Sequence, residues 1–237
     1  MKRLIAISAL ALTALASSPA YAVTTAKVDF VCPIDGTTFR SEIFTSFTFH
    51  YSRLDTRPVY MGSPQSLPLP ECPKNGFVLY KEKFNKNEIR KAKKAIATSE
   101  FKAIRADLNS YGRAAFIAER IGEEPLTISR LYLRASWEAE DSGKSAQEQE
   151  AYLKKSLSLL ETFLAKSPPD TDTQQKKILV AELSRRVGNF DAAFARLANL
   201  ELEAKDSNTM FLRKVSDEIA RLARAGIKSP ARIPDDK

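Results

Sequence analysis

The sequence contains few of the residues from which most catalytic and metal sites are built. It has two cysteines, one histidine, one tryptophan and eight glycines in 237 residues. Structural zinc usually takes four ligands, mainly thiolates and imidazoles, and a single histidine restricts general acid–base catalysis. The sequence also shows no glycine-rich phosphate loop and no Gly-x-Ser-x-Gly nucleophile motif. We therefore predict a protein that is not an enzyme and that uses no cofactor or metal.

Long apolar segments are also scarce, and the single apolar run stands near the start of the sequence. Residues 4–15 follow Lys2 and Arg3, and the small-x-small sequence AYA follows at residues 20–22. This pattern is typical of a secretory signal peptide, and the run is short for a bilayer core of about 30 Å. We predict cleavage after Ala22, export to the periplasm or further out of the cell, and no transmembrane segment in the mature protein. An uncleaved anchor is the alternative.

Acidic residues are under-represented in one stretch. The chain carries a net charge of +8, and residues 81–94 hold seven basic residues against two acidic ones. A local basic face can bind an anionic envelope surface or an acidic partner. A solvated helix face is the alternative, because Lys and Arg are good helix formers. Nucleic acid is not expected as a partner of an exported protein. The candidate binding residues are Lys81, Lys83, Arg90, Lys91, Lys93 and Lys94.

The two halves of the sequence predict different structures. Residues 27–84 carry both cysteines, and five prolines between residues 58 and 73 disfavour helix there. Aromatic and β-branched residues predict a strand within residues 41–54, with Ile43, Phe47 and Phe49 on one face. The later residues show helical periodicity. We expect a signal peptide at 1–22, a small β-rich head at 23–84, a helical domain at 85–226 and a flexible tail at 227–237.

The helical half resembles an antiparallel repeat array. Thr127 is the predicted N-cap of one helix, and leucines from Leu153 to Leu164 form an apolar stripe on the next. The pattern Gly-x-Phe-x-x-Ala from Gly188 to Ala193 is similar to the inter-helix turn of tetratricopeptide repeats. A plain helical bundle is the alternative. Because such arrays present concave faces to partners, we expect a protein partner on the helices of residues 127–164 and around Arg185, Arg186 and Arg196.

Several polar residues are candidates for a catalytic set, and each has a simpler interpretation. His50 lies in the predicted strand and is expected to be half-buried and structural. Asp55 and Arg57 are expected to form a local ion pair that orders a turn. The sequence WEAED supplies Glu138, Glu140 and Asp141 for a solvated helix end, and Trp137 for packing. A hydrolase that depends on Asp55 or His50 is the third function considered, after a protein-interaction module and an envelope-surface binder.

Several motifs together resemble an uncharacterised bacterial family called domain of unknown function 2225. They are CPIDGTTF, SRLDTRPVY, ECPKNGFVLYKEKF and ISRLYLRASWEAED, and they span roughly residues 30–165. The resemblance implies a zinc-ribbon-like head followed by helices similar to tetratricopeptide repeats. The family lends no established reaction, so the resemblance informs the architecture more than the function.

The sequence departs from this family pattern where a metal would bind. Cys32 and Cys72 match the first ligand of each Cys-Pro turn, whereas Asp35 and Asn75 stand at the second positions. The facing turns of a ribbon would bring the two cysteines together, so the resemblance implies a Cys32–Cys72 disulfide in an oxidising compartment. Such a bond would stabilise the fold by about 4 kcal/mol in the chain-entropy model. A mixed zinc site that adds Asp35 and His50, and catalytic thiol exchange, are the alternatives.

Overall fold

A computed structural model of the protein describes residues 23–167, 171–202 and 206–234, so the predicted signal peptide lies outside the described residues. In these ranges the chain forms a small strand head and a helical array, which confirms the predicted mostly helical class with a β-rich head. The elements are β1 (Thr24–Val31), β2 (Thr38–Ser46), β3 (Thr48–Ser52), β4 (Pro58–Met61), α1 (Lys86–Ala97), α2 (Ser99–Ile104), α3 (Ser110–Ile121), α4 (Pro125–Asp141), α5 (Ala146–Leu164), α6 (Thr171–Arg186), α7 (Phe190–Ala198) and α8 (Ser207–Arg224).

The head consists of two separate antiparallel hairpins. β1 pairs with β2, and β3 pairs with β4 with Phe49 opposite Tyr60. Strand structure is present within residues 41–54, as predicted, but it is divided between two sheets, because the chain leaves the first sheet after Ser46 and enters the second at Thr48. Phe47 lies between the two strands and is 51% exposed. Because of this break, the Phe47 ring is exposed at the edge of the head.

Two turns of the same form hold the predicted cysteines, and the disulfide is confirmed. Cys32 and Cys72 are bonded, and their Cα atoms lie 5.5 Å apart. In each turn the glycine N–H donates to the cysteine carbonyl oxygen over 2.9 Å. Asn75 Nδ2 donates to Asp35 Oδ2 over 2.9 Å, so the residues at the second ligand positions bind each other across the disulfide. Hydrogen bonding of Asp35 to Thr37 holds the pKa of its carboxyl below the usual value.

From α3 to α8 each helix packs against the next one along the chain, and α1 packs against α3. α1 begins with a capping box at Asn85. The prediction of Thr127 as a cap was wrong, because α4 begins at Pro125, a residue that suits the first helical turn. Between α6 and α7 the predicted turn is present, and Gly188 takes a φ of 82° that favours glycine.

Four buried clusters stabilise the array in the described residues, and the head contributes to three of them. Phe77 packs beside the disulfide against α1, α2 and α3. The next residue, Val78, packs into the cluster of α3, α4 and α5. Leu54 enters the cluster of α6 and α8. The fourth cluster joins α4, α5 and α6. The head is therefore anchored at both ends of the array.

The chain after α8 returns to the head, although the sequence predicts a flexible tail there. Leu54 N–H donates to the Ala231 carbonyl and Ile233 N–H to the Ser52 carbonyl, each over 2.9 Å. Ile227 and Ile233 also pack against the cluster of α6 and α8. Residues 227–234 thus form a strap that covers apolar surface and contacts the head. None of the described helices is long and apolar enough to cross a membrane.

Candidate binding cleft

A cleft of about 360 Å³ opens between the β3–β4 hairpin and helices α3 and α4. This volume lies in the range of ligand pockets. The head contributes one wall through the hairpin and the loop after it, and α4 contributes the other. The residues that line the cleft are Phe44, Thr56, Arg57, Pro58, Tyr60, Gln65, Ser66, Leu67, Tyr111, Arg130, Leu133, Arg134 and Trp137.

The cleft wall formed by α4 is cationic. Arg130 and Arg134 are exposed and lie one helical turn apart. Among the residues that the structure describes, neither guanidinium forms an ion pair, and no carboxylate lines the cleft. The Arg134 guanidinium carbon lies 5.9 Å from the centre of the Tyr111 ring, within the range of a cation–π contact. The wall therefore offers two guanidinium groups to an anion.

The opposite wall is aromatic and continues onto the surface. The Tyr60 ring lies 5.9 Å from the Phe44 ring and 4.4 Å from the Phe47 ring, measured between centroids. We call these three residues the aromatic ridge. Phe44 and Tyr60 are half-buried in the cleft, whereas Phe47 projects to solvent. Exposed aromatic rings with a polar rim are typical of interaction surfaces.

Ion pairs between the head and α4 lie beneath the cleft, whose floor is formed by Arg57. Arg57 donates through Nη2 to both carboxylate oxygens of Asp141 over 2.6 Å. Arg53 donates to Glu140 over 2.7 Å. Both arginines are about 5% exposed, with values of 6% for Arg53 and 5% for Arg57. Buried guanidinium groups need such partners because an unpaired buried charge is costly.

Asp55 is the hub of this junction. It accepts hydrogen bonds from Arg53 Nη2 over 2.6 Å, from Arg186 Nη1 over 2.9 Å and from Trp137 Nε1 over 3.1 Å. The Arg57 backbone N–H adds a weaker bond over 3.3 Å. Asp55 is 1% exposed, so its charge depends entirely on these donors. The carboxylate joins the head, α4 and α6.

The structure corrects several sequence predictions at this junction. The Asp55–Arg57 side-chain pair was wrong, because Asp55 pairs with Arg53 and Arg57 reaches Asp141. The helix end at residues 138–141 is not simply solvated, since its carboxylates meet the head. Arg185 and Arg186 are not open to a partner, because both are buried in ion pairs. Arg196 is exposed and pairs with Glu161 over 2.6 Å.

Burial changes the acidity of one carboxyl near this floor. Glu138 accepts hydrogen bonds from the Ser110 hydroxyl and the Tyr111 backbone N–H. Burial nevertheless raises the pKa of Glu138 above its usual value, since desolvation outweighs those bonds. Burial also raises the pKa of the Tyr111 hydroxyl. Tyr111 therefore stays neutral at physiological pH, and its ring can serve the cleft wall.

The basic stretch of residues 81–94 divides into two parts. Lys81 is engaged by Glu123 over 2.5 Å and by Glu88 over 2.9 Å. Lys91 donates to the Ile121 carbonyl at the end of α3 over 2.8 Å. These two residues stabilise helix ends and a loop. The other four predicted residues are exposed on or just before α1, and they are Lys83, Arg90, Lys93 and Lys94.

The remaining candidates lie apart from the cleft lining. His50 was expected to be half-buried, but it is exposed on β3, and its ring meets the neighbouring Tyr51 ring edge-on with the centroids 4.9 Å apart. In the described ranges, no group of three or more His, Cys, Asp or Glu residues is placed to hold a metal ion.

Sequence reasoning missed Arg130 and Arg134 as candidate functional residues. The available signal was local, because two arginines at i and i+4 repel each other on a helix. Glu138 lies four residues after Arg134, but its carboxylate accepts hydrogen bonds from Ser110 and Tyr111 instead. Trp137 was expected only to pack, but it both donates to Asp55 and lines the cleft.

The fold and the cleft define a class of protein in which a disulfide-closed strand head is joined to a helical array. The chain belongs to the family described as uncharacterized protein conserved in bacteria (DUF2225), whose model matches residues 26–224. The match confirms the resemblance seen in the motifs and extends it to α8. No curated protein matches the chain, and no solved structure does.

Proposed function

We propose that the protein is an exported, non-enzymatic protein-interaction module that holds a segment of a partner protein in the cleft. The observation that carries the proposal is the combination of an exposed aromatic ridge with two arginines, Arg130 and Arg134, that form no ion pair within the part of the chain that the structure describes. Interfaces are enriched in aromatic residues and arginine, which also dominate binding hot spots. The buried junction behind the cleft supports this role, since a preorganised site loses less entropy on binding.

We also propose two finer features of the architecture, a ribbon-like head and a repeat-like helix pair. The paired Cys-Pro turns suggest a ribbon-like frame in which a disulfide and the Asn75–Asp35 hydrogen bond stand in the metal's place. The α6–α7 pair, with fully buried Ala193 below the Gly188 turn, supports a likeness to tetratricopeptide repeats. Both would make the protein a rigid scaffold around the cleft rather than a catalyst.

Site-specific photo-crosslinking in the native cell tests the proposal. Phe47 is replaced by p-benzoylphenylalanine, which keeps an aromatic ring at the ridge. Phe211 on α8 receives the same replacement as a matched control, because it is also an exposed phenylalanine, at 42% against 51% for Phe47. We expect one discrete protein adduct from position 47, with none from position 211.

The crosslinking result has clear contrary outcomes. The same adducts from both positions would mean non-specific contact, and no protein adduct from position 47 would contradict the proposal. The Arg130→Ala/Arg134→Ala variant should lose the adduct. Fractionation of the same cells tests export, since retention of the uncleaved chain in the cytoplasm would contradict it.

A second function is favoured by one observation. The exposed basic residues on or beside α1, Lys83, Arg90, Lys93 and Lys94, suit an anionic envelope polymer or lipid. Binding through such exposed charges should weaken steeply between low and high ionic strength. Sedimentation with anionic vesicles or wall material at two salt concentrations measures this. Retention at high salt, or retention by a Lys93→Glu/Lys94→Glu variant, would contradict the surface-binding function.

A further inference from the structure

We propose that the cleft is specific for an acidic segment of its partner, in which a carboxylate binds Arg130 and Arg134 and a neighbouring apolar side chain packs on the aromatic wall. This inference rests on the proposed interaction function and names the chemistry of the partner.

Charge is the first argument. The lining includes three arginines and no acidic residue. Arg57 is neutralised by Asp141 at the floor, which leaves the charges of Arg130 and Arg134 facing the cleft without a described counter-ion. Like charges at i and i+4 destabilise a helix, so an anion that bridges them would relieve that repulsion. A cationic cleft with low-dielectric walls also concentrates negative ligands.

The identity of the cations is the second argument. A guanidinium group presents a planar fork of N–H donors that matches a carboxylate in two parallel hydrogen bonds. The cation–π contact with Tyr111 restricts Arg134 before any ligand arrives. Less side-chain entropy is then lost on binding, which favours a defined geometry over loose ion attraction.

The shape of the surface indicates a polypeptide rather than a small molecule. The apolar surface passes from Phe44 and Tyr60 in the cleft to Phe47 outside it, and Phe49, opposite Tyr60 on β3, is 54% exposed. A ligand confined to the cleft would leave Phe47 and Phe49 in water. A peptide can place its carboxylate inside and its next apolar side chain on the ridge.

The partner segment is bound through side chains rather than as an added strand. The outer edge of β4 is occupied at Tyr60, where the Gln65 side chain accepts from the backbone N–H and donates to the carbonyl, each over 3.0 Å. These bonds occupy the backbone groups that a further strand would use. Recognition therefore depends on the charge and the apolar surface of the partner.

Peptide selection on the purified, disulfide-bonded protein tests this specificity. A phage-displayed library of random peptides of about twelve residues is panned against the wild-type protein, against Arg130→Glu/Arg134→Glu, and against Lys93→Glu/Lys94→Glu. The last variant has the same change in net charge on α1, away from the cleft lining. Trp137 is the only tryptophan and lines the cleft, so its fluorescence reports the affinity of each synthetic peptide.

We expect acidic peptides with an adjacent apolar residue from the wild-type protein and from the α1 variant. Their affinity for the cleft variant should fall about tenfold or more, because two charge-assisted contacts become repulsive. Selection of neutral or basic peptides, equal binding to the cleft variant, loss on the α1 variant, or failure to select any peptide would overturn the inference. If crosslinking from position 47 still captured a partner, the proposed interaction function would stand, but the cleft would recognise a feature of the partner other than an acidic segment. Failure of both experiments would remove both proposals.

Discussion

Two groups of arginines, one at the buried junction and one in the cleft, have opposite environments. At the junction, Arg53, Arg57 and Arg186 are each at most 7% exposed and each contacts a carboxylate. In the cleft, Arg130 and Arg134 are exposed and have no described ion pair. The comparison teaches that burial requires pairing, whereas an exposed arginine without a partner retains its capacity to bind. We therefore assign stability to the junction and recognition to the cleft.

The largest effect is expected when the hub of the junction is removed. Asp55→Ala leaves Arg53 and Arg186 buried without their shared carboxylate. Breaking a buried pair in this way costs about 3–5 kcal/mol. Urea unfolding followed by circular dichroism measures the loss. Asp29→Ala removes the exposed Arg40 pair and serves as the control, with an expected loss of about 1 kcal/mol or less. Equal losses of unfolding free energy in the two variants would contradict the assignment of stability to the buried junction.

The second-largest loss of stability is expected when the Cys32–Cys72 disulfide, the other attachment of the head, is removed. Cys32→Ala/Cys72→Ala removes the covalent link beside α1–α3 but leaves the ion pairs of the junction unchanged. We expect a loss of about 2–4 kcal/mol in unfolding free energy. Reduction of the wild-type protein with dithiothreitol should give a similar shift of the urea midpoint. An unchanged midpoint after complete reduction would show that the strap and the junction hold the head without the disulfide.

A smaller effect should appear as a pH dependence near the floor of the cleft. Burial raises the pKa of Glu138 in the folded protein, so its contribution to stability is fully present below the unfolded-state pKa and is lost as pH rises through the folded-state pKa. Glu138→Gln can still accept hydrogen bonds and should not show this decline. The stability difference between variant and wild type should therefore grow in favour of the variant from acidic to neutral pH. A constant difference would argue against a raised pKa.

The sequence predicted the local features of the fold well. The apolar stripe of α5 buries Leu153 and Leu160 at 2% and 1% exposure, and Gly188 ends α6 as its position indicates. The disulfide followed from the resemblance to the family. Periodicity and turn residues report contacts within a few positions along the chain, so these features could be found without coordinates.

The site depended on long-range contacts that the sequence does not reveal. Asp55 binds Trp137 and Arg186, which are 82 and 131 residues away. An arginine on a predicted helix is ordinarily a solvated residue, so the sequence did not mark Arg130 and Arg134 as binding candidates. The structure does, because it places the head opposite them across the cleft. The strap after α8 escaped prediction for the same reason, because Ala231 finds its hydrogen-bond partner at Leu54.

The division of roles between the two groups of arginines is tested most directly by one variant, Arg130→Ala/Arg134→Ala, in the chain that carries the crosslinker at position 47. We predict an unfolding free energy within about 0.5 kcal/mol of the parent, as for surface substitutions without a special structural role, together with loss of the partner adduct. A clearly destabilised protein, or a stable protein that still forms the adduct, would contradict the assignment of these arginines to recognition.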